Sequence, residues 1–299
     1  MCEFAATMKP GPGSAWSSRR WLVAACGLTA WFGAVAGGAP SDDHLNFQRF
    51  SPRDGLPAAV VYCGMEDSRG FLWFGTADGV ARFDGHQFRV FRPDPADPDS
   101  LANGAVLGIQ EDAKGNLWMA TEGGLDLWLR GTERFVHFKH DPANPASLGD
   151  NTTQSILLDD DGTLWIGTRN GGLDHFDPAT GKFGHFPTDP RGITGLTDAW
   201  IRCLYRDRHG VLSLGTGNGG LDRLDRVTRQ FRVYRNVRDD PRSLSDNRVS
   251  AIVEDRAGDL WVGTDGGLCR LDAQRGDFER YPIGPNRSDA LPSRTVPAS

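Results

Sequence analysis

This chain of 299 residues is poor in positive charge, in cysteine and in long hydrophobic runs. Its 33 lysines and arginines are outnumbered by 39 aspartates and glutamates. The resulting net charge of −6 argues against nucleic acid as a partner, because phosphate contacts need a basic surface. Beyond residue 40, no stretch is apolar enough for long enough to cross a bilayer. Glycine, by contrast, is abundant at 38 residues, which is typical of many short strands joined by tight turns.

The one long apolar segment lies near the N-terminus. Arg19 and Arg20 precede it, and it ends in the small residues Ala-Val-Ala at 34–36. A basic, then apolar, then small-residue layout is typical of a secretory signal peptide, so we predict that residues 1–39 are a cleaved signal. An uncleaved membrane anchor and lipidation at Cys26 are the alternatives. Each version places the globular part in the periplasm or on the extracytoplasmic face of the inner membrane.

A glycine pair follows a strand-like run in "LWIGTRNGGLDHFD", residues 164–177. In isolation, such a loop could be taken for a phosphate cradle. Similar strings begin at Leu72, Leu117, Leu212 and Leu260, so the motif recurs at steps of 45, 47, 48 and 48 residues. A phosphate loop occurs once in a domain, whereas a structural turn recurs in every unit of a repeat. The glycine pair is therefore predicted to be a turn.

Each repeat contains four strand-sized pieces. The first ends in Asp-x-x-Gly, and aspartate at the first and glycine at the fourth position suit a type I turn whose carboxylate accepts nearby backbone N–H groups. The second piece is Leu-Trp-x-Gly-Thr, the third ends in Asp, and the fourth carries two aromatic residues three apart. The structural motif residues predicted from these pieces are Asp67, Asp112, Asp159, Asp207, Asp255, Trp73, Trp118, Trp165, Trp261, Gly75, Gly167, Gly215 and Gly263.

The aromatic pairs of the fourth piece indicate the architecture. Residues three apart on a strand point to opposite faces, so a pair such as Phe135 and Phe138 requires burial on both faces of the sheet. A sandwich with one wet face would give a clean alternation instead. Four-stranded antiparallel sheets buried on both faces and repeated at this period are the blades of a β-propeller. We predict an all-β chain with blades at residues 58–92, 104–139, 152–187, 199–235 and 247–282.

The cysteines fit the same register. Cys63 and Cys203 each lie nine residues before the leading leucine of their repeat, where the other repeats have Gly108, Ser155 and Ala251. Small residues are expected where inner strands crowd around a central channel. We predict free thiols, because equivalent strands three blades apart are too distant for a disulfide. A disulfide is the alternative in an exported chain.

The repeats continue past the fifth blade. A sixth begins near Leu291, where "ALPSRTVPAS" aligns with "SLSDNRVSAI". At the other end, Phe47 and Phe50 match the fourth-strand signature without three preceding strands. We therefore predict that residues 45–299 are part of an incomplete ring, whose exposed blade faces favour self-association.

The sequence shows no constellation for catalysis or metal binding, and we predict no cofactor. His137 and His140 are three apart on a predicted strand and would diverge. The acidic run "LDDDGTLW" at 158–165 lacks the glutamate of a calcium loop and falls at the turn of its repeat. These residues are therefore predicted to be structural.

One run of basic residues is unusual. Arginine recurs at every third position across the fourth repeat, at Arg223, Arg226, Arg229, Arg232, Arg235 and Arg238. The functional interpretation is an outer-rim site for an anionic ligand such as an acidic saccharide. The alternative is a solvated hairpin balanced by neighbouring aspartates, which a period of three favours because it scatters the arginines over both faces.

The full pattern resembles the two-component regulator propeller repeat. Its clearest copy is "VSAIVEDRAGDLWVGTDGGL" at 249–268, and the resemblance covers residues 45–299. The Trp-Asp signature of the WD40 repeat is absent. Ser213 replaces the tryptophan of the fourth repeat and Ala120 replaces the glycine of the second, without a shift in register.

This resemblance implies a seven-bladed propeller that serves as the periplasmic sensor of a receptor with a histidine kinase or diguanylate cyclase output. It implies a small-molecule or glycan ligand, no catalysis by the propeller, and membrane attachment only through an N-terminal anchor or a downstream helix. The repeat is also similar to that of streptogramin-lyase-like propeller enzymes. A lyase site would require histidine and acidic residues at the channel mouth, whereas His175, His185 and His209 occupy unrelated repeat positions.

Overall fold

A computed structural model of the chain describes residues 49–272 and 275–282, so the predicted signal segment and the start of the sixth repeat lie outside it. The strands of blade 1 are β1 (Val61–Glu66), β2 (Leu72–Thr76), β3 (Gly79–Phe83) and β4 (Phe88–Phe91). Those of blade 2 are β5 (Val106–Glu111), β6 (Leu117–Thr121), β7 (Gly124–Leu129) and β8 (Arg134–Phe138). Those of blade 3 are β9 (Thr153–Leu158), β10 (Leu164–Thr168), β11 (Leu173–Asp177) and β12 (Lys182–Phe186). Those of blade 4 are β13 (Ile201–Arg206), β14 (Leu212–Thr216), β15 (Leu221–Asp225) and β16 (Gln230–Tyr234). Those of blade 5 are β17 (Val249–Glu254), β18 (Leu260–Thr264), β19 (Gly267–Asp272) and β20 (Asp277–Pro282).

Each group of four strands forms one antiparallel sheet in chain order. The inner strands β1, β5, β9, β13 and β17 contact one another in succession, and four hydrophobic cores lie between successive blades. Within the described residues the sole helix is a 3₁₀ turn at Pro52–Asp54, and no helix is long and apolar enough to cross a membrane. The prediction of an all-β propeller built from four-stranded blades is confirmed.

The Asp-x-x-Gly turns form as predicted. The Asp67 carboxylate accepts the N–H groups of Arg69 (2.9 Å) and Phe71 (3.0 Å), and the Asp67 carbonyl accepts the N–H of Gly70 (2.9 Å). Gly70 has a φ of 83°, in the left-handed region that other residues adopt only under strain. The corresponding glycines of the other four turns are also left-handed, which explains why the motif requires glycine at its fourth position.

Three of these aspartates also bind the tryptophan of the second strand. The indole N–H donates to the carboxylate in the pairs Trp73 with Asp67, Trp165 with Asp159 and Trp261 with Asp255, at 2.8–3.0 Å. In blade 2, the side-chain amide of Asn116 donates to Asp112 instead (3.1 Å). The motif therefore ties the turn to the core side chain six residues later.

The paired aromatics of the outer strand fill the joints on both sides of a blade. Phe135 lies in the core between blades 1 and 2, whereas Phe138 packs in the core between blades 2 and 3. Phe50 packs against Phe83 (5.0 Å between ring centroids) and Phe88 (5.3 Å) of blade 1. Phe50 thus contacts blade 1 in the way that Phe138 of the fourth strand in blade 2 contacts blade 3. This placement agrees with the fourth-strand signature of Phe47 and Phe50.

The joints between blades differ in their polar contacts. Arg130 of blade 2 donates to Asp67 of blade 1 (3.0 Å), and Arg226 of blade 4 occupies the equivalent position and pairs with Asp159 of blade 3. Arg208 of blade 4 pairs with Glu254 of blade 5. Among the described residues, no ion pair crosses the joint between blades 2 and 3.

That joint is bridged by a hydroxyl group instead. Oγ of Thr153 accepts the N–H of Thr121 (2.7 Å) and donates to the Thr121 carbonyl (2.8 Å). The positions equivalent to Thr153 are Val61, Val106, Ile201 and Val249. A buried hydroxyl thus takes the place of the ion pairs that cross the other three joints.

Cys63 and Cys203 occupy equivalent positions, paired in register with Gly75 and Gly215. All three described cysteines are free thiols. The Cys63 sulfur lies 3.7 Å from the carbonyl oxygen of Val106 in the next blade. The small residues at this position are therefore required by the joint with the neighbouring inner strand rather than by the channel alone.

We expect both thiols to react slowly in the native protein. Burial raises the pKa of Cys63 and of Cys203 from 9.0 to about 12, which lowers the reactive thiolate fraction about a thousandfold. The test is alkylation of native and urea-unfolded protein at mildly alkaline pH, with labelled peptides assigned by mass spectrometry. Rapid native labelling of either cysteine, or a Cys63–Cys203 crosslink, would contradict the register.

Candidate functional site

Every inner strand contains a β-bulge near its start. In blade 1 the register with β2 passes from Val61 to Cys63 and leaves Tyr62 without a partner. The residues skipped in this way are Tyr62, Leu107, Gln154, Arg202 and Ser250. Bulges re-aim a side chain and are over-represented next to functional sites. The repeat thus presents five different side chains on one identical backbone distortion.

The residue before each inner strand makes the same backbone hydrogen bond in all five blades, but its side chain differs from blade to blade. We call the face where the inner strands begin and the second strands end the upper face. There, the carbonyl of that residue accepts an N–H from the residue after the second strand, at 2.8–3.2 Å. The acceptor and donor residues are Val60 and Ala77, Ala105 and Glu122, Thr152 and Arg169, Trp200 and Gly217, and Arg248 and Asp265. The upper face therefore presents different side chains on one constant backbone arrangement.

Trp200 is the only aromatic residue among those acceptors, and the neighbouring residues accommodate its large ring. Its carbonyl accepts the N–H of Gly217 (2.8 Å), and a Cβ on Gly217 would overlap the indole ring. Its indole N–H donates to the side-chain oxygen of Gln154 in blade 3 (3.3 Å). The half-buried ring is thus held over a glycine turn of its own blade by a bulge residue of the preceding one.

Two arginines lie on this ring. The Arg169 guanidinium of blade 3 is 4.7 Å from the ring centroid, and that of Arg202 is 5.5 Å away. Arg202 reaches Asp265 of blade 5 only at 3.9 Å, and Asp265 also faces Arg248 at 3.7 Å. Arg169 is exposed and, within the described residues, has no carboxylate within 4.0 Å. Gln154, Arg169, Trp200, Arg202 and Asp265 are the cluster that we call the upper-face site.

The six arginines predicted from the period of three do not converge. Arg223 pairs with Asp207, Arg226 pairs with Asp159, and Arg235 donates to the carbonyls of Gly219 and Pro190. Arg229 and Arg232 lie over the rings of Phe186 and Tyr234, at 5.7 and 5.1 Å. Arg238 is exposed. The structure brings none of them to the upper-face site, and most of them support contacts within the blades or between blades 3 and 4.

Arg223 compensates for the missing tryptophan of blade 4. Ser213 takes the tryptophan position and is paired in register with Arg223, whose guanidinium reaches the turn aspartate Asp207. The arginine thus supplies the donor that the indole N–H supplies elsewhere. Ser213 Oγ and Arg223 Nε are buried without a hydrogen-bond partner, so the replacement is incomplete.

Three histidines, His137, His140 and His185, contact the linkers between blades. Nδ1 of His137 contacts Asp126 and Nδ1 of His185 contacts Asp174, both at 2.7 Å, and each Nε2 lies 3.0 Å from a linker carbonyl. His140 lies beyond β8 and contacts the Leu148 carbonyl (2.7 Å). The same aspartates accept the N–H of Ala102 (2.8 Å) and Gly149 (2.7 Å) and so anchor the linkers between blades.

Asp222 holds the equivalent position in blade 4 without a histidine. It accepts the N–H of Thr197 (2.8 Å) and the Thr197 hydroxyl (2.9 Å) and is fully buried. Burial, only partly offset by these hydrogen bonds, raises the pKa of Asp222 from 3.8 to about 6. Since the folded state holds this proton more tightly, its stabilising effect is complete below pH 3.8 and is lost as the pH rises through about 6.

We therefore expect Asp222→Asn to stabilise the protein at neutral pH. The shift from 3.8 to about 6 corresponds to about 3 kcal/mol, and we expect a gain of about 1–3 kcal/mol with a flatter pH profile between the two values. The comparison variant is Asp174→Asn: burial also raises the pKa of Asp174, but the contact with His185 (2.7 Å) partly offsets it, so we expect a smaller gain. Urea unfolding across this pH range measures both, and a destabilising Asp222→Asn would contradict the buried charge.

Sequence reasoning missed the upper-face site because it searched for what the repeats share. Trp200 and Arg169 lie at positions where the five repeats have five different residues. Aligning the repeats and selecting the positions of greatest difference beside a structural turn would have found them. The bulges that aim Gln154 and Arg202 leave no such signal, because they arise from strand pairing.

The repeats match a described family. The model of the "Two component regulator propeller" matches residues 100–123, 147–170 and 243–266. Three stretches of the chain thus match the two-component regulator propeller repeat. A histidine kinase P4 of Formosa agariphila is 43% identical over 56 residues, which are 19% of this chain and 4% of that protein. This chain thus spans only a small part of that relative.

Solved structures agree with these regulator propeller repeats. An extracellular domain assigned to a hybrid two-component system of B. thetaiotaomicron is 27% identical, with a TM-score of 0.69 over 78% of this chain and 31% of that one. A catalytically inactive virginiamycin B lyase of Staphylococcus aureus, determined with quinupristin, is 17% identical with a TM-score of 0.60 over 81% and 75%. The lyase likeness shows the fold alone.

Proposed function

We propose that this chain is the ligand-sensing propeller of an extracytoplasmic receptor in signal transduction, of the histidine kinase or diguanylate cyclase type, and that it is not itself an enzyme. The observation that carries this proposal is the contrast between a constant framework and a variable upper face. Loops and loop ends on a rigid scaffold are where binding residues concentrate. The likeness to an extracellular domain of a two-component system supports the same assignment.

The placement of the histidines supports binding rather than lyase chemistry. Among the described residues, His137 and His185 are held by aspartates and linker carbonyls on the outer half of their blades. The upper-face site contains no histidine, and its arginine, tryptophan and glutamine side chains are suited to bind and orient a ligand. The proposed ligand is a small molecule or glycan, with self-association as the proposed means of signalling.

The test combines stabilisation with chemical recovery. A saccharide panel is added to the purified chain, the thermal midpoint is recorded, and the saccharide is then examined by mass spectrometry. A sensor is expected to be stabilised by at least one saccharide that is recovered unchanged, because ligands that bind only the folded state raise its stability. Conversion of a saccharide to a product would overturn the non-catalytic assignment. Recovery of the protein in the cytoplasmic fraction of producing cells would overturn the receptor assignment.

A further inference from the structure

We propose that the joint between blades 4 and 5 binds a small oxyanion of the phosphate or sulfate type through Arg223 and Arg232. The six arginines of the fourth repeat do not converge as a group, but these two are paired in register on the adjacent strands β15 and β16. The joint involves none of the residues of the upper-face site, and its ligand is independent of the proposed sensing function.

The joint between blades 1 and 2 shows how the fold balances such an arginine pair. Arg82 and Arg89 of blade 1 occupy the same two register positions, and both guanidinium groups pair with Glu133 of blade 2, at 3.4 and 2.5 Å. Glu133 lies in the turn between the third and fourth strands of blade 2. Its N–H donates to the Leu129 carbonyl (2.7 Å), and its φ is 56°. One carboxylate of the following blade therefore serves two arginines.

Gly276 occupies the position of Glu133 in blade 5. Its N–H donates to the Asp272 carbonyl (2.7 Å) and its φ is 76°, so the turn has the same geometry. A Cβ on Gly276 would overlap Nη2 of Arg232. The guanidinium therefore lies at the point where a glutamate side chain would begin, and the carboxylate that serves the pair in blade 1 has no counterpart at this position.

The arginine pair of blade 4 consequently has donors without acceptors. Arg223 pairs with Asp207 of its own blade through Nη2, but its Nε is buried without a hydrogen-bond partner. Arg232 is exposed and lies over the ring of Tyr234 (5.1 Å). In the part of the chain that the structure describes, no carboxylate comes within 4.0 Å of Arg232. At least one of the two positive charges is thus available to a ligand.

A cavity of about 280 Å³ lies at the same joint and is lined by Tyr234 and Gly276. The Tyr234 hydroxyl is buried and has no hydrogen-bond partner among the described residues, so it is a further donor for a bound group. Two carboxylates that also line the cavity, Asp240 and Asp277, face the backbone N–H and the guanidinium of Arg242, at 2.9 and 3.9 Å. The cavity therefore offers space beside the unmatched arginines.

The chemistry of these donors favours an oxyanion over water. Buried polar groups in folded proteins are satisfied by protein atoms, by water or by an ion. Water would satisfy a hydroxyl but would not balance a guanidinium charge. A guanidinium presents a planar fork of N–H groups that matches two oxygens of a phosphate or sulfate. Such an anion would replace the carboxylate that Glu133 provides between blades 1 and 2.

The experiment is calorimetric titration of the full chain with inorganic phosphate, inorganic sulfate and chloride at low millimolar concentration and one constant ionic strength. We expect saturable binding of phosphate or sulfate that is at least about tenfold tighter than that of chloride and weakens as the salt is raised. Preference between the two oxyanions identifies the ligand. Binding of neither oxyanion above the level of chloride would show that water fills the joint and would overturn the proposal.

Variants locate the site. Arg232→Ala should weaken oxyanion binding at least about tenfold. The matched control is Arg89→Ala, which removes the equivalent arginine of blade 1 and should bind as the unaltered chain does, because Glu133 already serves that position. Gly276→Glu copies Glu133 into the same left-handed turn and should abolish binding, with circular dichroism verifying that the variant folds. Full binding in Arg232→Ala or in Gly276→Glu would overturn the site and leave the sensing function intact.

Discussion

Asp67→Ala is expected to destabilise the protein by about 2–4 kcal/mol, because it leaves a buried indole N–H unsatisfied and removes a charge-assisted hydrogen bond across the joint between blades 1 and 2. The Asp67 side chain is 0% exposed and that of Arg130 is 10% exposed. The carboxylate accepts the Arg130 guanidinium and the Trp73 indole N–H, each at 3.0 Å, in addition to the two turn N–H groups. Its removal would leave the Trp73 indole N–H without its acceptor and would take one of two carboxylates from Arg130, which keeps Glu111 (2.8 Å).

The matched control for this variant is Asp112→Ala. Asp112 accepts the N–H groups of Lys114 (2.8 Å) and Asn116 (2.9 Å) in the same turn geometry, but it has neither the indole nor the arginine. Its loss should cost about 1 kcal/mol, the ordinary value of turn hydrogen bonds. Urea unfolding followed by circular dichroism gives both free energies. Equal costs would show that the joint contacts of Asp67 add nothing to the turn.

The Asp67 contacts also predict a response to pH. Burial opposes ionisation, but the hydrogen bonds from Trp73, from the backbone of Phe71 and Arg69, and from Arg130 outweigh it and hold the pKa of Asp67 below its ordinary value. The stability that Asp67 contributes is therefore present above pH 3.8 and is lost as the pH falls through the lowered value. Asp67→Ala should remove this part of the acid sensitivity.

Gly75→Ala is expected to destabilise by about 3 kcal/mol, at the upper end of the range for overpacked sites. A Cβ on Gly75 would lie 2.5 Å from the Cys63 sulfur and 2.5 Å from the Val106 carbonyl oxygen of the next blade. The backbone oxygen cannot rotate away, so the two blades would have to separate. The expected result is a lower urea midpoint with an unchanged slope.

Gly263→Ala is the matched control, since its new Cβ would meet nothing closer than the Ala251 Cβ at 3.4 Å. We expect it to be neutral or stabilising by about 0.5–1 kcal/mol, because alanine restricts the unfolded chain. Blade 2 already has Ala120 at this position, opposite Gly108. Cys63→Gly combined with Gly75→Ala copies that arrangement and should recover part of the loss. A destabilising Gly263→Ala would contradict the steric argument.

Much of the fold could be predicted because the sequence of each repeat contains the residues that its turns require. The left-handed glycine of Asp67–Gly70 and the two-faced aromatics Phe135 and Phe138 are local requirements that recur in the sequence. Contacts between blades were not predictable in the same way. Arg130 lies 63 residues from Asp67, and no spacing within one repeat indicates that the two groups meet.

The candidate site escaped prediction for a related reason. The spacing of three residues between the outer arginines suggested a binding site. In the structure, however, Arg223 pairs with Asp207 and Arg226 pairs with Asp159. Trp200 and Arg169 come from different blades and have no period at all. The residues that the repeats share form the framework. Side chains that are free to bind a ligand therefore lie at positions where the repeats differ.

The hydroxyl-bridged joint between blades 2 and 3 should respond to acid differently from the other three joints. Acid protonates the carboxylates of Asp67, Asp159 and Glu254 that pair across those joints, whereas the Thr153 hydroxyl does not titrate in this range. Acid should therefore loosen the contacts on either side of blades 2 and 3 before it loosens the contact between them. Slower amide hydrogen exchange at the contact of β9 with β5 than at the contact of β9 with β13 would reveal this difference.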